Sequence, residues 1–473
     1  MNWDETLEYL YNSFPMFQYT GKAGYKPGLN RTIELDDLYG NPSVKFKSIH
    51  IAGTNGKGSV SHMLASILQE AGFNTGLYTS PHLKDFRERI KINGQMIPKE
   101  YVMSFIQNGK EHFENIRPSF FELTTILAFD YFAENNVDIA VIETGMGGRL
   151  DSTNIITPEL SVVTNIGWDH MAYLGNNLRD IAGEKAGIIK CETPIVLGEP
   201  DEEILPVFLS KAGDLSAPLI NATDMFSLVN TETGKETGQI FTIRKNIINN
   251  DNKNNQSREN NQSDERSQSR ENNQNRERNE SNSIVFRLGT DLAGIHQKHN
   301  IITLCAALET LKNNPLFSPC FKDSTEYFGS IVVNGLINVS AATGLSGRWQ
   351  FLSRSPMVIA DTAHNKNGLK LSLEQVSSIP HTKLRFVIGF MNDKDIDSIL
   401  PLFPSDAVYY FTKAAIPRSM QEADLQKFAA KYKLNGNCFS SVKQALTQAI
   451  NDSGKNDFIY VGGSTFIVAE ALP

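Results

Sequence analysis

The sequence predicts an α/β protein of two unequal domains, and three observations carry that expectation. An apolar run at 46–52 leads through Gly53-Thr54-Asn55-Gly56-Lys57-Gly58-Ser59 into a helical pattern. Its Val60, Met63, Leu64, Ile67, Leu68 and Ala71 recur every three or four residues and so share one face. Residues 121–134, 137–143 and 160–166 continue the alternation of helical and extended patterns. Residues 356–473 repeat it, with apolar runs at 357–360, 384–390, 407–411 and 458–461 between helical stretches near 366–378, 396–403, 419–432 and 441–450. Strands alternating with helices imply a mostly parallel sheet covered by helices. The larger domain is expected at 1–345 and the smaller at 346–473, with the junction near Thr343–Phe351.

The totals narrow the function. A chain of 473 residues can bury two or three cores. Its net charge of −8 argues against nucleic acid or an anionic membrane as the main partner. The acidic start, Met1-Asn2-Trp3-Asp4-Glu5, lacks a basic and apolar leader, and no apolar run approaches the roughly 18 residues of a membrane span. Cys191, Cys305, Cys320 and Cys438 are scattered without a C-x-x-C pair, so reduced thiols and a cytoplasmic setting are expected. From Asn249 to Ser283 there is no apolar side chain, and the charges nearly cancel. Such a segment cannot offset the entropy of ordering and is expected to be a disordered loop expansion between two strands.

The glycine-rich segment is the strongest chemical signal. Strand, glycine turn, lysine, hydroxyl residue and helix together build a phosphate cradle. Glycines let backbone N–H groups converge on phosphate oxygens, and the helix N-terminus adds its positive end. Lys57 supplies a point charge for the outer phosphates, which implies ATP. The pattern G-x-x-x-x-G-K-[ST] would want glycine at Ile51 and a hydroxyl at Gly58, and a plain glycine turn is the alternative reading. The strand at 137–142 ends on Glu143, where a nucleotide-bound Mg²⁺ is commonly held; a strand-end acid capping a turn is the alternative. His170 follows the strand at 160–166, and Ser80 follows the one at 75–78. Lys185 sits in a helix-like stretch, where a solvated charge pair is the alternative. Arg348 lies at the domain junction, and Asp361 and His364 follow the strand at 358–360.

The ordered blocks GTNGKGS, TSPHL, FFELTT, ETGMGGRLDSTN, TNIGWDH, EKAGIIK, GRWQ, DTAHN and GFMNDKD resemble folylpolyglutamate synthase/dihydrofolate synthase, the folate branch of the Mur ligase superfamily. The likeness runs from about residue 40 to the C-terminus, with the Asn-rich segment as its main gap, and the family shares the glycine after the lysine. The resemblance implies a P-loop ATPase domain of the Mur central type, a smaller Rossmann-like C-terminal domain and an active site in the cleft between them. It implies that ATP phosphorylates a substrate carboxylate and that the amine of L-glutamate captures the acyl phosphate. Dihydropteroate and reduced folates are the implied acceptors, and a monomer the implied state. Polyglutamylation alone, a Mur-type ligase on another carboxylate, and a regulator without turnover are the alternatives.

By the same resemblance, Lys57, His170 and Lys185 are catalytic, and Lys185 is a candidate for carbamylation. Asn55, Gly56, Lys57, Gly58, Ser59, Asn300, Arg348 and Asp361 contact ATP. Ser80 and Glu143 hold one Mg²⁺, and Glu143 and His170 a second; a monovalent cation is a further candidate. Asp151 accepts hydrogen bonds from the pterin edge, Phe121 stacks on the ring or packs in the core, and His364 serves the glutamate side.

Overall fold

The computed structural model describes residues 1–14, 28–169, 171–234, 238–246, 283–321 and 327–473, which build three sheets. The first contains β1 (Lys47–Ala52), β2 (Thr75–Tyr78), β3 (Ile90–Ile92), β4 (Gln95–Met96), β5 (Ile139–Glu143), β6 (Leu160–Asn165), β7 (Ile195–Glu199) and β8 (Leu219–Asn221). Their order is β4-β3-β2-β5-β1-β6-β7-β8. Six of these strands run parallel, and β3 and β4 add an antiparallel edge. β1 lies between β5 and β6, and every residue after Lys47 is buried, Ser48 and His50 included, because a central parallel strand is covered on both faces.

Alternate residues of β5 feed opposite cores. Ile139 and Val141 pack with Val60, Met63, Leu64 and Ile67 of the helix Lys57–Glu70. Ala140 and Ile142 pack with Leu123, Ile126 and Leu127 of the helix Phe120–Glu134. That second helix starts where it does because Ser119 and Glu122 form a capping box.

The second sheet is antiparallel, β11-β10-β9, from β9 (Phe226–Thr233), β10 (Gln239–Lys245) and β11 (Ile284–Thr290). β10 and β11 pair from Gln239–Thr290 to Lys245–Ile284 and flank the polar segment. That segment, 249–283, lies outside the described residues apart from Ser283.

The third sheet has the order β12-β13-β17-β14-β15-β16. It comprises β12 (Gln350–Arg354), β13 (Met357–Ala360), β14 (Leu384–Ile388), β15 (Val408–Phe411), β16 (Gly436–Cys438) and β17 (Phe458–Gly462). All neighbours are parallel except β12 against β13. Helices Lys366–Ser378 and Glu422–Ala430 contribute to the core on one face, and Val442–Asn451 and Thr465–Ala471 to that on the other. No helix among the described residues is long and apolar enough to cross a membrane. Cys191, Cys305 and Cys438 are free thiols.

Two parallel sheets have two carboxyl edges, where ligands of such sheets bind. The loops after β1, β2, β5, β6 and β7 and those after β13, β14 and β17 line one shared cavity of about 1170 Å³.

Candidate active site

The glycine-rich loop needs its glycines for room. Gly53 has φ +149°, and a Cβ there would lie 1.9 Å from Thr164 Oγ1. Gly56 has φ +83°, and its Cβ would lie 2.3 Å from Asn300 Oδ1. The loop is tied down from β6: Asn55 N–H donates to Asn165 Oδ1 at 2.8 Å, and Thr164 Oγ1 donates to the Asn55 carbonyl at 2.6 Å. Lys57 opens the helix and bends back, donating to the Gly53 carbonyl at 3.0 Å. Ser59 is buried, with its Oγ 3.4 Å from Gln297 Nε2.

Lys185 donates to that same Gly53 carbonyl at 2.8 Å and is 3% exposed, so it is no solvated helical charge. Burial, and then the neighbouring Lys57 ammonium, push its pKa down to about 7; Asp169 and Asp151 pull the other way. Glu184, beside it in sequence, makes the solvated pair instead, with Arg149 at 2.7 Å.

Glu143 ends β5 with its carboxylate buried, and its Oε2 accepts the Ser80 N–H at 3.2 Å. Burial raises its pKa; Lys57, the Ser80 hydrogen bond, Arg348 and Arg89 oppose that rise. Among the described residues, no three His, Cys, Asp or Glu side chains gather as a metal-binding set. A buried carboxylate with a hydroxyl residue alongside fits Mg²⁺, which keeps waters and takes few protein ligands beside phosphate oxygens. His170 lies outside the described residues.

Asp151 is buried and caps a short 3₁₀ turn. It accepts Thr153 N–H at 3.0 Å, Thr153 Oγ1–H at 2.5 Å and Met146 N–H at 2.9 Å. Burial raises its pKa against those bonds. Phe121 packs against Tyr78, with ring centroids 5.9 Å apart, and faces Gly145, where a Cβ would lie 2.6 Å from the ring. Phe121 thus packs against the core and also lines the cavity.

From the third sheet come Arg348, which hydrogen-bonds Thr362 Oγ1, and Asp361, which accepts Trp349 N–H at 2.9 Å and Ala363 N–H at 2.9 Å. Asn300 donates to Gln297 Oε1 at 2.7 Å. His364 places Nδ1 at 2.9 Å from the Thr362 carbonyl and Nε2 at 3.5 Å from Asp169. The cavity thus brings together every described residue of the expected site.

Three residues that residue-by-residue reading did not single out also meet here. Asn365 Nδ2 donates to Asn55 Oδ1 at 2.9 Å and to Asp169 Oδ2 at 3.3 Å, while Lys394 Nζ reaches Asp169 Oδ1 at 2.8 Å. The signal was their place in the blocks DTAHN, TNIGWDH and GFMNDKD. Their pairing spans 196 to 310 residues and has no local sequence pattern.

Known proteins share this build. Residues 51–213 match the Mur ligase middle domain, and residues 347–465 the Mur ligase glutamate ligase domain. The chain is 30% identical over 459 residues to a dihydrofolate synthase/folylpolyglutamate synthase of Bacillus subtilis, covering 95% of each. It is also similar to the solved structure of Escherichia coli FolC in complex with DHPP and ADP, at 27% identity and a TM-score of 0.75, over 100% of this chain and 97% of that one. A bifunctional folylpolyglutamate synthase/dihydrofolate synthase with Mn, AMPPNP and L-glutamate bound gives 26% identity and a TM-score of 0.74, over 100% and 97%. The chain, with its mixed α/β fold of three sheets, belongs to the folylpolyglutamate synthase/dihydrofolate synthase family of Mur ligases.

Proposed function

We propose that this protein is an ATP-dependent ligase joining L-glutamate to dihydropteroate and to folate (poly)glutamates through an acyl phosphate. The observation that carries this reading is one cavity in which Lys57, Glu143, Lys185 and Asp151 meet Arg348 and Asp361 from the other sheet. Residues 1–345 serve as the P-loop ATP-binding domain and 346–473 as the Rossmann-like domain, with the active site between them. The protein acts as a cytoplasmic monomer on small molecules.

A carboxylate is a poor electrophile, and phosphorylation corrects that. The loop N–H groups, the helix N-terminus and Lys57 bind the triphosphate. A carboxylate oxygen of the pterin substrate, or of its last glutamate, attacks the γ-phosphorus, and the bond to ADP breaks. The glutamate nitrogen then attacks the acyl carbon; phosphate leaves, a proton departs from nitrogen, and an amide remains. Lys57 and Arg348 offset the negative charge that gathers on phosphoryl oxygens. Asn55, Gly56, Gly58, Ser59, Asn300 and Asp361 line the nucleotide, while Asp151 and Phe121 receive the pterin and His364 the glutamate.

Glu143 with Ser80, and Glu143 with His170, would hold two Mg²⁺ ions, which supply charge neutralisation to the phosphates. Lys185 is suited to carbamylation, because an amine titrating near 7 is partly neutral and nucleophilic at physiological pH. The resulting anion would offset the Lys57 charge where the two lysine side chains now share the Gly53 carbonyl. A monovalent cation is a further candidate.

Purified protein given dihydropteroate, ATP, Mg²⁺ and L-glutamate should yield ADP and a glutamylated product; neither appearing would refute the reading. Turnover with tetrahydrofolate but not dihydropteroate would leave polyglutamylation alone, and turnover with a muramyl substrate alone would mark a Mur-type ligase.

A further inference from the structure

We infer that Asn365 and Lys394 are positioning residues, forming a latch that seats the glycine-rich loop only when the two parallel sheets face each other. Asn365 and Asn55 pair through both amides: Nδ2 of Asn365 donates to Oδ1 of Asn55 at 2.9 Å, and the reverse contact is 3.4 Å. Asn365 cannot swing freely, because its Oδ1 also caps the helix Lys366–Ser378 by accepting Gly368 N–H at 2.9 Å. Asp169 stands beside this pair and accepts Asn365 Nδ2 at 3.3 Å and Lys394 Nζ at 2.8 Å. The Asp169 and Lys394 side chains are 11% and 13% exposed, so their attraction is little screened by solvent.

The consequence is directional. Asn55 lies between Gly53 and Lys57, so its side chain joins the phosphate loop to the third sheet. Separation of the sheets breaks the amide pair and the ion pair together and releases the loop from one side. Closure restores both and returns the loop to Arg348, whose guanidinium lies 3.5 Å from where a Cβ on Gly58 would stand. Readiness of the loop is thus coupled to arrival of the residues that must meet the nucleotide from the opposite side.

Two variants separate the latch from general stability. Lys394→Met removes the ammonium and keeps much of the stem. Asn365→Asp keeps an oxygen to cap the helix, but deletes both donors and sets a carboxylate against Asp169. Lys394→Arg is the rescue. Amide hydrogen exchange of residues 53–59 is measured in the full chain, with kcat, KM for ATP and the melting midpoint.

Both variants should raise exchange of the loop about tenfold and lower kcat about ten- to a hundredfold, with exchange of β1, β5 and β6 unchanged. The stranded Asp169 carboxylate also lowers the melting midpoint, so the exchange pattern is what separates the latch from general stability. Lys394→Arg should return both readouts toward wild type. Loop exchange and kcat within twofold of wild type in both variants would overturn the inference. So would exchange rising across all of β1, β5 and β6, which would mark a merely structural role. The kcat arm rests on the ligase reading. The exchange arm does not, so a preparation without glutamate-dependent turnover still tests the latch.

Discussion

At the scale of single residues, charge placement governs the account. Lys57 and Glu143 face the same cavity from the start of a helix and the end of a strand. Lys57→Ala and Glu143→Ala should each lower product formation by at least about 10²- to 10³-fold, the scale of one lost electrostatic contact in a water-poor site. Circular dichroism should be unchanged, and rates near wild type would contradict the assigned roles.

Lys185 makes a pH prediction whose sign follows from linkage. Its folded pKa is about 7 against an ordinary 10.5. Between those values the unfolded chain binds more protons than the folded one, so this lysine's contribution to stability improves as pH rises through that window. It is lost as pH falls toward 7, where the buried ammonium must be kept. Lys185→Met should therefore gain most over wild type below pH 7, with the gap closing toward pH 10, as read from denaturation midpoints. Turnover should also rise with pH through the same pKa and with added bicarbonate; indifference to bicarbonate would count against carbamylation.

At the scale of elements, close approach is the theme. Gly56 holds a left-handed φ against Asn300, and Gly56→Ala should cost about 1–3 kcal/mol of local strain. Loss of nucleotide affinity in a binding titration should exceed loss of melting temperature, because the strain falls on the loop. Leu64 is fully buried in the helix behind that loop, and Leu64→Ala should cost about 2–5 kcal/mol by denaturant titration. These elements were legible because their patterns are strong: the run at 357–360 is β13 and the stretch at 366–378 is a helix with the same limits. The run at 384–390 ends as a strand at Ile388, and the stretch near 419–432 is helical only over Glu422–Ala430.

The weaker elements escaped for physical reasons. β16 is three residues, Gly436–Cys438, with no apolar side chain before its last position. β12 is a half-exposed edge strand starting inside the GRWQ block. β9 turns mostly polar, exposed residues outward, so neither alternation nor a continuous run marks it.

At the scale of the whole molecule, the site exists because two carboxyl edges meet. Each edge could be inferred from alternating strands and helices, and the glycine-rich loop could be read directly. The contacts across the cavity could not, since Asn55 meets Asn365 and Asp169 meets Lys394 only after two separate sheets have formed. In the third sheet, Arg385 and Asp457 form a 3.1 Å ion pair, each 5% exposed. Arg385→Met should leave a buried carboxylate unpaired and destabilise by about 3–5 kcal/mol. Calorimetry should show the loss in the transition that contains that sheet, with ATP affinity little altered.

On the proposed reading, this cavity activates a carboxylate by phosphorylation before glutamate captures it. Dihydropteroate labelled with ¹⁸O in its carboxylate tests it most directly, with released phosphate examined by mass spectrometry. One labelled oxygen should be carried into phosphate for each amide formed. Unlabelled phosphate alongside full amide yield would contradict it.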